Sequence, residues 1–356
     1  MAESLKDNKS WVPPLLDREF VFNEEVEFAV VGDMHLSSST PKSRIDDYPQ
    51  TMVDKLSLLR RHLLDRGINK VILLGDIFHK SKQPSDFEFR VAREFLRFKE
   101  DGIKVFCITG NHDLQFDRLD TYEKSSLGLM YLTDVLIPFS KITFKREGKR
   151  DVNIYGCHYP NDIPDISDFD SYNILAAHKF YEFNMDKDSI RKEDLEKNGF
   201  SMYLLGHDHV PYDLLTMRTS SGVVRIVRPG SFSRGTAHAY NNTRMVYIDI
   251  VRIKDKVEVV RDTLQVKKPE EIFSASVLDK LDTKDLSNVL SKQLSDLVTK
   301  LYESDGSESS VYKILDSTQV DPKVKGRIEG YLYDAGIFRR SNDMSEDNLD
   351  VSANKN

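Results

Sequence analysis

The stretch VILLGDIFH, residues 71–79, joins an apolar run to a carboxylate and a histidine. Four other segments repeat this arrangement: FAVV, VFCIT, YNIL and MYLL lead into GDMH, GNHD, AAH and GHDH, respectively. An apolar run without alternation is typical of a parallel strand that is buried on both faces. Open α/β sheets carry their chemistry at the carboxyl ends of such strands. We therefore predict that the five polar endings meet at one rim.

These endings supply a mixed set of nitrogen and oxygen donors. Six of the nine histidines lie in them, together with aspartates and one asparagine. The candidate residues are Asp33, His35, Asp76, His79, Asn111, His112, His178, His207 and His209. Such a mixture suits one or two divalent transition ions, and it is compatible with Mn, Fe, Zn and Co.

The order DxH, GDxx, GNHD, a lone H and GHxH resembles the calcineurin-like metallophosphoesterases. Within that superfamily, DMHL in the first motif and the terminal histidine of GDIFH most resemble the DNA double-strand-break repair nucleases. These are the bacterial SbcD subunit and its phage and eukaryotic counterparts. The resemblance covers roughly residues 26–265. Five motifs in the right order are far more specific than any single one.

The resemblance distributes the donors over two cations. Asp76 is expected to bridge them, since two-metal hydrolases hold their ions about 3.5–4 Å apart. Asp33, His35 and His209 would complete the first site. Asn111, His178 and His207 would complete the second. Manganese is the metal that the nuclease resemblance implies.

His112 and His79 are expected to act in catalysis. His112 precedes Asp113, which we expect to orient its imidazole for protonation of a leaving oxygen. His79 resembles the nuclease-specific histidine that positions the phosphodiester. The implied nucleophile is a hydroxide that bridges the cations, because cations lower the pKa of bound water.

The rhythm of apolar runs and amphipathic stretches predicts the fold. A βαβαβ unit with a parallel sheet is expected over residues 26–108, with helices at 50–66 and 85–100. LLTMRTSSGVVRIV and MVYIDIVRIKDKVEVV form a second, antiparallel set, each reading as two strands around a turn. We expect an α/β fold: a two-sheet β-sandwich core flanked by helices, as in the resembled superfamily, with a small C-terminal helical module.

Four segments are predicted along the chain. They are an irregular N-terminal arm (1–25), the metallophosphoesterase domain (26–267), a helical module (268–340) and a disordered tail (341–356). Leucines in the module recur on one helical stripe. By resemblance, such helices grip the coiled-coil root of an SMC-like ATPase; packing against the catalytic domain is the alternative. A homodimer is a further expectation.

The net charge of −7 runs against a DNA substrate, because DNA-binding proteins commonly carry a basic stripe. Local basic clusters exist in KITFKREGKR and around RPGSFSRG. From these clusters we predict DNA contacts by Arg225, Arg228, Arg234, Lys145 and Arg146. A solvated hairpin and ordinary surface arginines are the alternative.

The rest of the composition indicates a cytoplasmic protein without a membrane span. No apolar run approaches the ~18 residues of a span, and the N-terminus lacks the apolar region of a secretion signal. Cys107 and Cys157 lie inside apolar strands, as expected for reduced thiols. The sequence favours a two-metal DNA nuclease that serves an SMC-like ATPase complex in repair or recombination. A phosphoesterase for a small molecule or a phosphoprotein, and a partner-binding adaptor, are the alternatives.

Overall fold

A computed structural model describes residues 13–166, 168–182, 189–220, 222–235 and 245–274. The predicted helical module beyond residue 274 and the predicted tail lie outside these ranges. No helix in the described ranges is long and apolar enough to cross a membrane.

The strands, in chain order, are β1 (Glu19–Phe22), β2 (Val26–Val31), β3 (Lys70–Leu73), β4 (Lys104–Cys107), β5 (Ile137–Pro138), β6 (Lys141–Phe144), β7 (Val152–Cys157), β8 (Tyr172–His178), β9 (Phe180–Tyr181), β10 (Ser189–Ile190), β11 (Met202–Gly206), β12 (Tyr212–Thr219), β13 (Gly222–Arg228), β14 (Val246–Ile253) and β15 (Val257–Leu264). The helices are α1 (Tyr48–Asp65), α2 (Ser85–Glu100), α3 (Ser126–Leu132), α4 (Lys192–Lys197) and α5 (Pro269–Ile272), and a 3₁₀ helix spans Leu119–Lys124.

Two mixed sheets form the core of the described chain. The smaller has the order β15-β14-β2-β3-β4-β5, in which β2 to β5 are parallel. The larger has the order β1-β6-β7-β8-β11-β13-β12, in which β7, β8, β11 and β13 are parallel. The expected α/β sandwich is therefore confirmed.

Alternation along the strands explains why the apolar runs are continuous. Phe28 and Val30 of β2 face the larger sheet, while Ala29 and Val31 face the helices. In the larger sheet, Ile174 of β8 faces inward and Leu175 packs in a third cluster on the outer face. Both faces of the central strands are thus buried, which requires an apolar residue at nearly every position.

Helices α1 and α2 cover the outer face of the smaller sheet. Met52, Leu56, Leu59 and Leu63 line the buried side of α1 at helical spacing. The helix begins where the Asp47 carboxylate accepts a hydrogen bond from the Gln50 backbone N–H, at 3.0 Å. These helices hold β2, β3 and β4 in place beneath the motifs that follow them.

Two details of the predicted organisation are wrong. The N-terminal arm is not irregular throughout, because β1 pairs in parallel with β6 and its Phe20 and Phe22 pack against the core between the sheets. The two antiparallel hairpins also do not form one separate set. The β12–β13 hairpin extends the larger sheet, and the β14–β15 hairpin extends the smaller one. Hairpin sequences fix local pairing but do not say which sheet edge accepts them.

Candidate metal centre

The five motifs meet at one rim, as expected from their position after the strands. The smaller sheet contributes the endings of β2, β3 and β4, and the larger sheet contributes those of β8 and β11. Because the carboxyl ends of both sets point to the same end of the sandwich, residues more than 170 positions apart come into contact, as in the pair His35 and His209.

One group of donors matches the first predicted cation site. Ligand atoms of Asp33, His35, Asp76 and His209 all lie within 4.8 Å of one another. The Nε2 atoms of His35 and His209 approach to 2.8 Å, and His35 Nε2 lies 3.5 Å from Asp76 Oδ2. Both imidazoles therefore aim at one point beside the Asp76 carboxylate.

A second group shares Asp76 with the first. Ligand atoms of Asp76, His178 and His207 lie within 4.8 Å of one another. His178 Nε2 is 3.0 Å from Asn111 Oδ1 and 3.4 Å from Asp76 Oδ2. The other nitrogen of His178, Nδ1, lies 2.8 Å from the Leu74 carbonyl oxygen, to which it donates. That bond fixes the ring and leaves Nε2 for a cation.

Backbone N–H groups tie four of the five loops together. The His207 N–H donates to the Asp33 carboxylate at 3.0 Å, and the His112 N–H donates to Asp76 Oδ1 at 2.9 Å. The His35 N–H donates to the Asp76 carbonyl at 2.9 Å. The two aspartates thus join the loops of different strands, and these bonds fix the positions of the donors relative to one another.

Three of the predicted ligands have an unusual backbone conformation. His35, Asp76 and His207 have φ values of 45°, 48° and 79°, in the left-handed region that side chains with a Cβ rarely adopt. Such conformations persist at functional sites where the surroundings enforce them. Crowding also explains Gly110, because a Cβ there would lie 2.2 Å from Asp76 Oδ1.

Burial and neighbouring charges shift the pKa values of the predicted ligands. Burial raises the pKa of Asp33 to about 7 and lowers that of His35 to about 3. Burial opposes the charge of Asp76 and His178 too, but their mutual attraction prevails: it holds the pKa of Asp76 below its usual range and raises that of His178 to about 9.

The carboxylates fit a site for cations. Asp33 and Asp76 are 0% and 1% exposed, and within the described ranges neither forms an ion pair with a lysine or arginine. Buried carboxylates are costly unless a positive charge compensates them. Two divalent ions held by the surrounding imidazoles, the Asn111 amide and these carboxylates would supply that charge.

His79 and His112 lie at the mouth of the centre, on the side of His35. Their rings stack with centroids 5.5 Å apart, and the ring centroids of His35 and His112 are 4.9 Å apart. His112 Nδ1 donates to the His79 carbonyl oxygen at 2.8 Å, which leaves Nε2 as its reactive nitrogen. Both therefore stand beside the predicted ligands, with ligand atoms of His35, His79 and His112 also within 4.8 Å of one another.

The prediction that Asp113 orients His112 is wrong. The Asp113 carboxylate is fully buried and accepts backbone N–H groups of Ile77, Phe78 and Gly110, at 3.3, 3.0 and 3.0 Å. Its side chain joins the β3 loop to the β4 loop. Burial, followed by the charge of Asp76, raises the pKa of Asp113 to about 7.

His158 belongs to the support of this rim. Its Nδ1 accepts a hydrogen bond from the Thr109 N–H at 3.1 Å, and its Nε2 donates to the Phe139 carbonyl oxygen at 3.1 Å. Burial lowers the pKa of His158 to about 4, so the ring is neutral at pH 7. It fixes Thr109, two residues before Asn111.

Three of the predicted DNA contacts lie away from the centre. Arg225 is opposite Met202 in β11, four residues before Gly206 and so about 13 Å along the strand. Lys145 and Arg146 precede β7 at that same far end, where Lys145 pairs with Asp151 at 2.6 Å and Arg146 bonds the Lys254 carbonyl. Strand direction separates these side chains from the metal rim.

The other two candidates are closer to the rim, but their guanidinium groups contact other parts of the protein. Arg228 stacks over the Tyr212 ring, with 3.8 Å from its Cζ to the ring centroid. Arg234 is 3% exposed and donates to the Lys267 carbonyl, which speaks against contact with a phosphate.

Sequence reasoning missed two side chains beside the donors. Phe180 packs on His207, with ring centroids 4.1 Å apart. Ser231, in the PGS loop after β13, donates through Oγ to the Asp33 carbonyl at 2.9 Å. The PGS triplet was a signal for the second but not for the first, since nothing in KF at 179–180 indicates a wall of the site.

Residues 26–211 match the family of calcineurin-like phosphoesterases. The chain is 27% identical over 211 residues to the metallophosphoesterase YhaO of Bacillus subtilis, covering 52% of this chain and 49% of that one. It is 23% identical over 192 residues to the DNA double-strand break repair protein Mre11 of Sulfolobus acidocaldarius, covering 50% and 48%. The crystal structure of TT1561 of Thermus thermophilus aligns with a TM-score of 0.41 at 10% identity, covering 68% and 100%.

The chain spans about half the length of the curated relatives that it matches. The matched segment contains all the predicted ligands, and the expected superfamily is confirmed. This protein belongs to the calcineurin-like phosphoesterases.

Proposed function

We propose that the protein is a DNA phosphodiesterase that uses two divalent cations, preferably Mn²⁺. The observation that carries the proposal is the pair of stacked imidazoles, His79 and His112, beside the buried donor set. Both phosphomonoesterases and phosphodiesterases release one alcohol per turnover, but a phosphodiesterase must also place the second ester chain, which stays on the phosphorus. The similarity to an Mre11 protein supports DNA as the source of that chain.

His112 is proposed to donate the proton to the leaving oxygen. Its Nδ1–H is committed to the His79 carbonyl, so Nε2 is the atom that can carry a transferable proton. The distance between the His35 and His112 rings places this nitrogen next to the first cation site. When bound, the cations would polarise the phosphate and lower the pKa of water.

His79 is proposed to position the ester chain as a neutral hydrogen-bonding group. Burial first, and then the charges of His112 and Lys80, lower its pKa below the usual range. A neutral imidazole can donate one hydrogen bond to a phosphate oxygen without holding the product by charge. This assignment separates His79 from the chemistry itself.

We further propose that the protein works with an SMC-like ATPase. The support is the leucine stripe within residues 268–340, most of which lie outside the described ranges. An amphipathic stripe needs an apolar partner surface, and a coiled-coil root provides one. A homodimer is a compatible assembly.

The test is degradation of end-labelled linear DNA by Mn²⁺-loaded protein, beside hydrolysis of bis(p-nitrophenyl) phosphate. His79→Ser is expected to lower DNA degradation far more than hydrolysis of the small diester.

Since most predicted basic contacts lie far from the rim, the affinity for DNA should depend weakly on salt, with a slope of about −1 to −2 in a plot of log affinity against log salt concentration. Brisk turnover of cyclic nucleotides with none of DNA would favour the small-molecule phosphoesterase instead. Protein that binds a partner but hydrolyses neither substrate would favour the adaptor.

A further inference from the structure

A cavity of about 270 Å³ opens beside the first cation site. On one side it is lined by the imidazoles of His35, His79, His112 and His209. On the other side lie the loop after β2, the start of α1 and the loop after β13. The hydroxyl-bearing residues on that side are Ser37, Ser39, Thr40, Tyr48, Ser231 and Ser233. Lys80 completes the rim.

The walls of this cavity are fixed by buried hydrogen bonds. Arg44 is 6% exposed; its guanidinium donates to the Asp46 carboxylate at 2.7 and 2.8 Å and to the Arg234 carbonyl at 2.6 Å. Arg44 thereby connects the loop after β2 to the loop after β13. The Tyr48 hydroxyl donates to the His35 carbonyl at 3.2 Å, which joins the back wall to a metal ligand. The cavity is therefore preorganised.

The lining combines apolar surface with hydroxyl groups, a mixture that suits the base and the sugar of a nucleoside. Six hydroxyl-bearing residues line it, and no carboxylate is among the lining residues of the described chain. The Oγ atom of Ser39 and the Oγ1 atom of Thr40, both on exposed residues, have no hydrogen-bond partner within the described ranges. Hydroxyls of this kind can pair with the oxygens of a sugar, and the absence of acidic groups avoids repulsion of phosphates.

Lys80 adds a positive charge at the rim. Its side chain is exposed, borders the cavity beside His79, and forms no ion pair within the part of the chain that the structure describes. By contrast, Lys82 on the same loop pairs with Glu88 at 3.1 Å. The Lys80 ammonium group can therefore pair with an anion that binds in the cavity.

We propose that this cavity binds the single nucleoside next to the scissile phosphate, and that Lys80 pairs with the next phosphate of the chain. The volume lies just below the usual range of small-ligand clefts, so it suits one nucleoside unit and not a stacked stretch of strand. The proposal rests on the phosphodiesterase function and names what that site selects: a nucleotide ester in preference to a generic diester.

The test compares two chromogenic diesters, the p-nitrophenyl ester of thymidine monophosphate and bis(p-nitrophenyl) phosphate. Thr40→Trp fills the cavity from an exposed position, and Lys42→Trp, in the same loop but outside the cavity, is its control. We expect Thr40→Trp to lower kcat/KM for the thymidine ester about tenfold more than for the aryl diester. Lys42→Trp should leave both values unchanged.

Lys80→Ala is tested with the thymidine ester with and without an additional phosphate on the sugar. The phosphorylated ester should lose about tenfold in kcat/KM and the other ester much less, with Lys42→Ala as control. A binding readout accompanies the kinetics. Calorimetry should show that thymidine monophosphate binds the Mn²⁺-loaded protein more tightly than inorganic phosphate does, and Thr40→Trp should remove that difference.

Equal loss on both diesters in Thr40→Trp, or wild-type protein that shows no preference for the thymidine ester, would overturn the assignment of the cavity. Wild-type protein that hydrolyses neither diester would overturn the phosphodiesterase function instead. Hydrolysis of the aryl diester by wild-type protein therefore shows which of the two assignments has failed.

Discussion

The two sheets contribute different chemistry to the same centre. The smaller sheet supplies both carboxylates, the amide and the two mouth histidines, through Asp33, Asp76, Asn111, His79 and His112. The larger sheet supplies imidazoles only, through His178, His207 and His209. His35 is the one ligand imidazole that follows a strand of the smaller sheet.

This difference places the carboxylates and the proposed catalytic histidines on one sheet, whereas the other sheet contributes imidazole ligands only. The loops of the smaller sheet hold the two buried carboxylates, and they hold His79 and His112, for which we propose roles towards substrate. The larger sheet adds nitrogen donors, which raise affinity for transition ions over Mg²⁺ and Ca²⁺. Variants in the two sheets should therefore fail in different ways.

The largest effect is expected when the shared carboxylate is neutralised. Asp76→Asn should lower phosphodiester hydrolysis on the order of 1,000-fold or more, because both donor groups include Asp76. His207→Asn, in the larger sheet, touches one group only and should cost on the order of 100-fold. Initial rates at saturating Mn²⁺ measure both; equal losses would contradict a bridging position for Asp76.

The second prediction separates catalysis from coordination within the smaller sheet. His112→Ser should lower kcat by about 10²–10⁴-fold, since a general acid contributes that much. Its metal content after gel filtration should stay near wild type. Metal loss matching that of Asp76→Asn would mean that His112 is a ligand.

The third prediction concerns the rigidity of the smaller sheet's rim. Asp113→Ala removes the acceptor of three backbone N–H groups and should lower the free energy of unfolding by about 3 kcal/mol. Urea denaturation of metal-free protein at pH 8, where the carboxyl group is ionised, gives this value. Asp113→Asn keeps one acceptor oxygen and should cost less; equal costs would argue against hydrogen bonding as the cause.

The smallest effect tests the tie between the two sheets. His158 follows β7 of the larger sheet and holds Thr109 at the end of β4 in the smaller one. Its pKa falls from 6.5 unfolded to about 4 folded, so below pH 6.5 the unfolded chain binds the extra proton. Its contribution to stability is therefore constant above pH 6.5 and declines as the pH falls towards 4.

At pH 5 this loss should amount to about 2 kcal/mol relative to pH 7. Urea denaturation across that range measures it, with His158→Gln as the matched variant. Gln does not titrate, so it should reduce the pH dependence by that amount, whatever its cost at pH 7. An unchanged pH dependence in His158→Gln would show that other groups dominate.

The sequence predicts well which polar side chains meet at the rim, because the signals that place them are local. An apolar run followed by a polar ending marks both the strand and the position of the donor, so Asp33, Asp76 and His178 could be placed at one rim without any contact information. The long apolar runs likewise fixed the core strands and the helices between them.

What could not be predicted depends on long-range partners. The carboxylate of Asp113 accepts hydrogen bonds from backbone N–H groups that come together only in the folded chain. From the sequence, the neighbouring His112 was the more obvious partner. Lys145 and Arg225 looked suitable for DNA because they are basic, but strand direction puts them at the other end of the sandwich. The strand β1 also could not be predicted, because its four residues form a strand only by pairing with β6, which is distant in the sequence.

The most direct test of the two-sheet centre is calorimetric titration of metal-free protein with Mn²⁺. Wild-type protein should bind two ions. His209→Ala and His207→Ala, which each remove one imidazole of the larger sheet from a different donor group, should each weaken one site. Asp76→Asn should weaken both. Two undiminished sites in Asp76→Asn would contradict the shared carboxylate and, with it, the assignment of the centre.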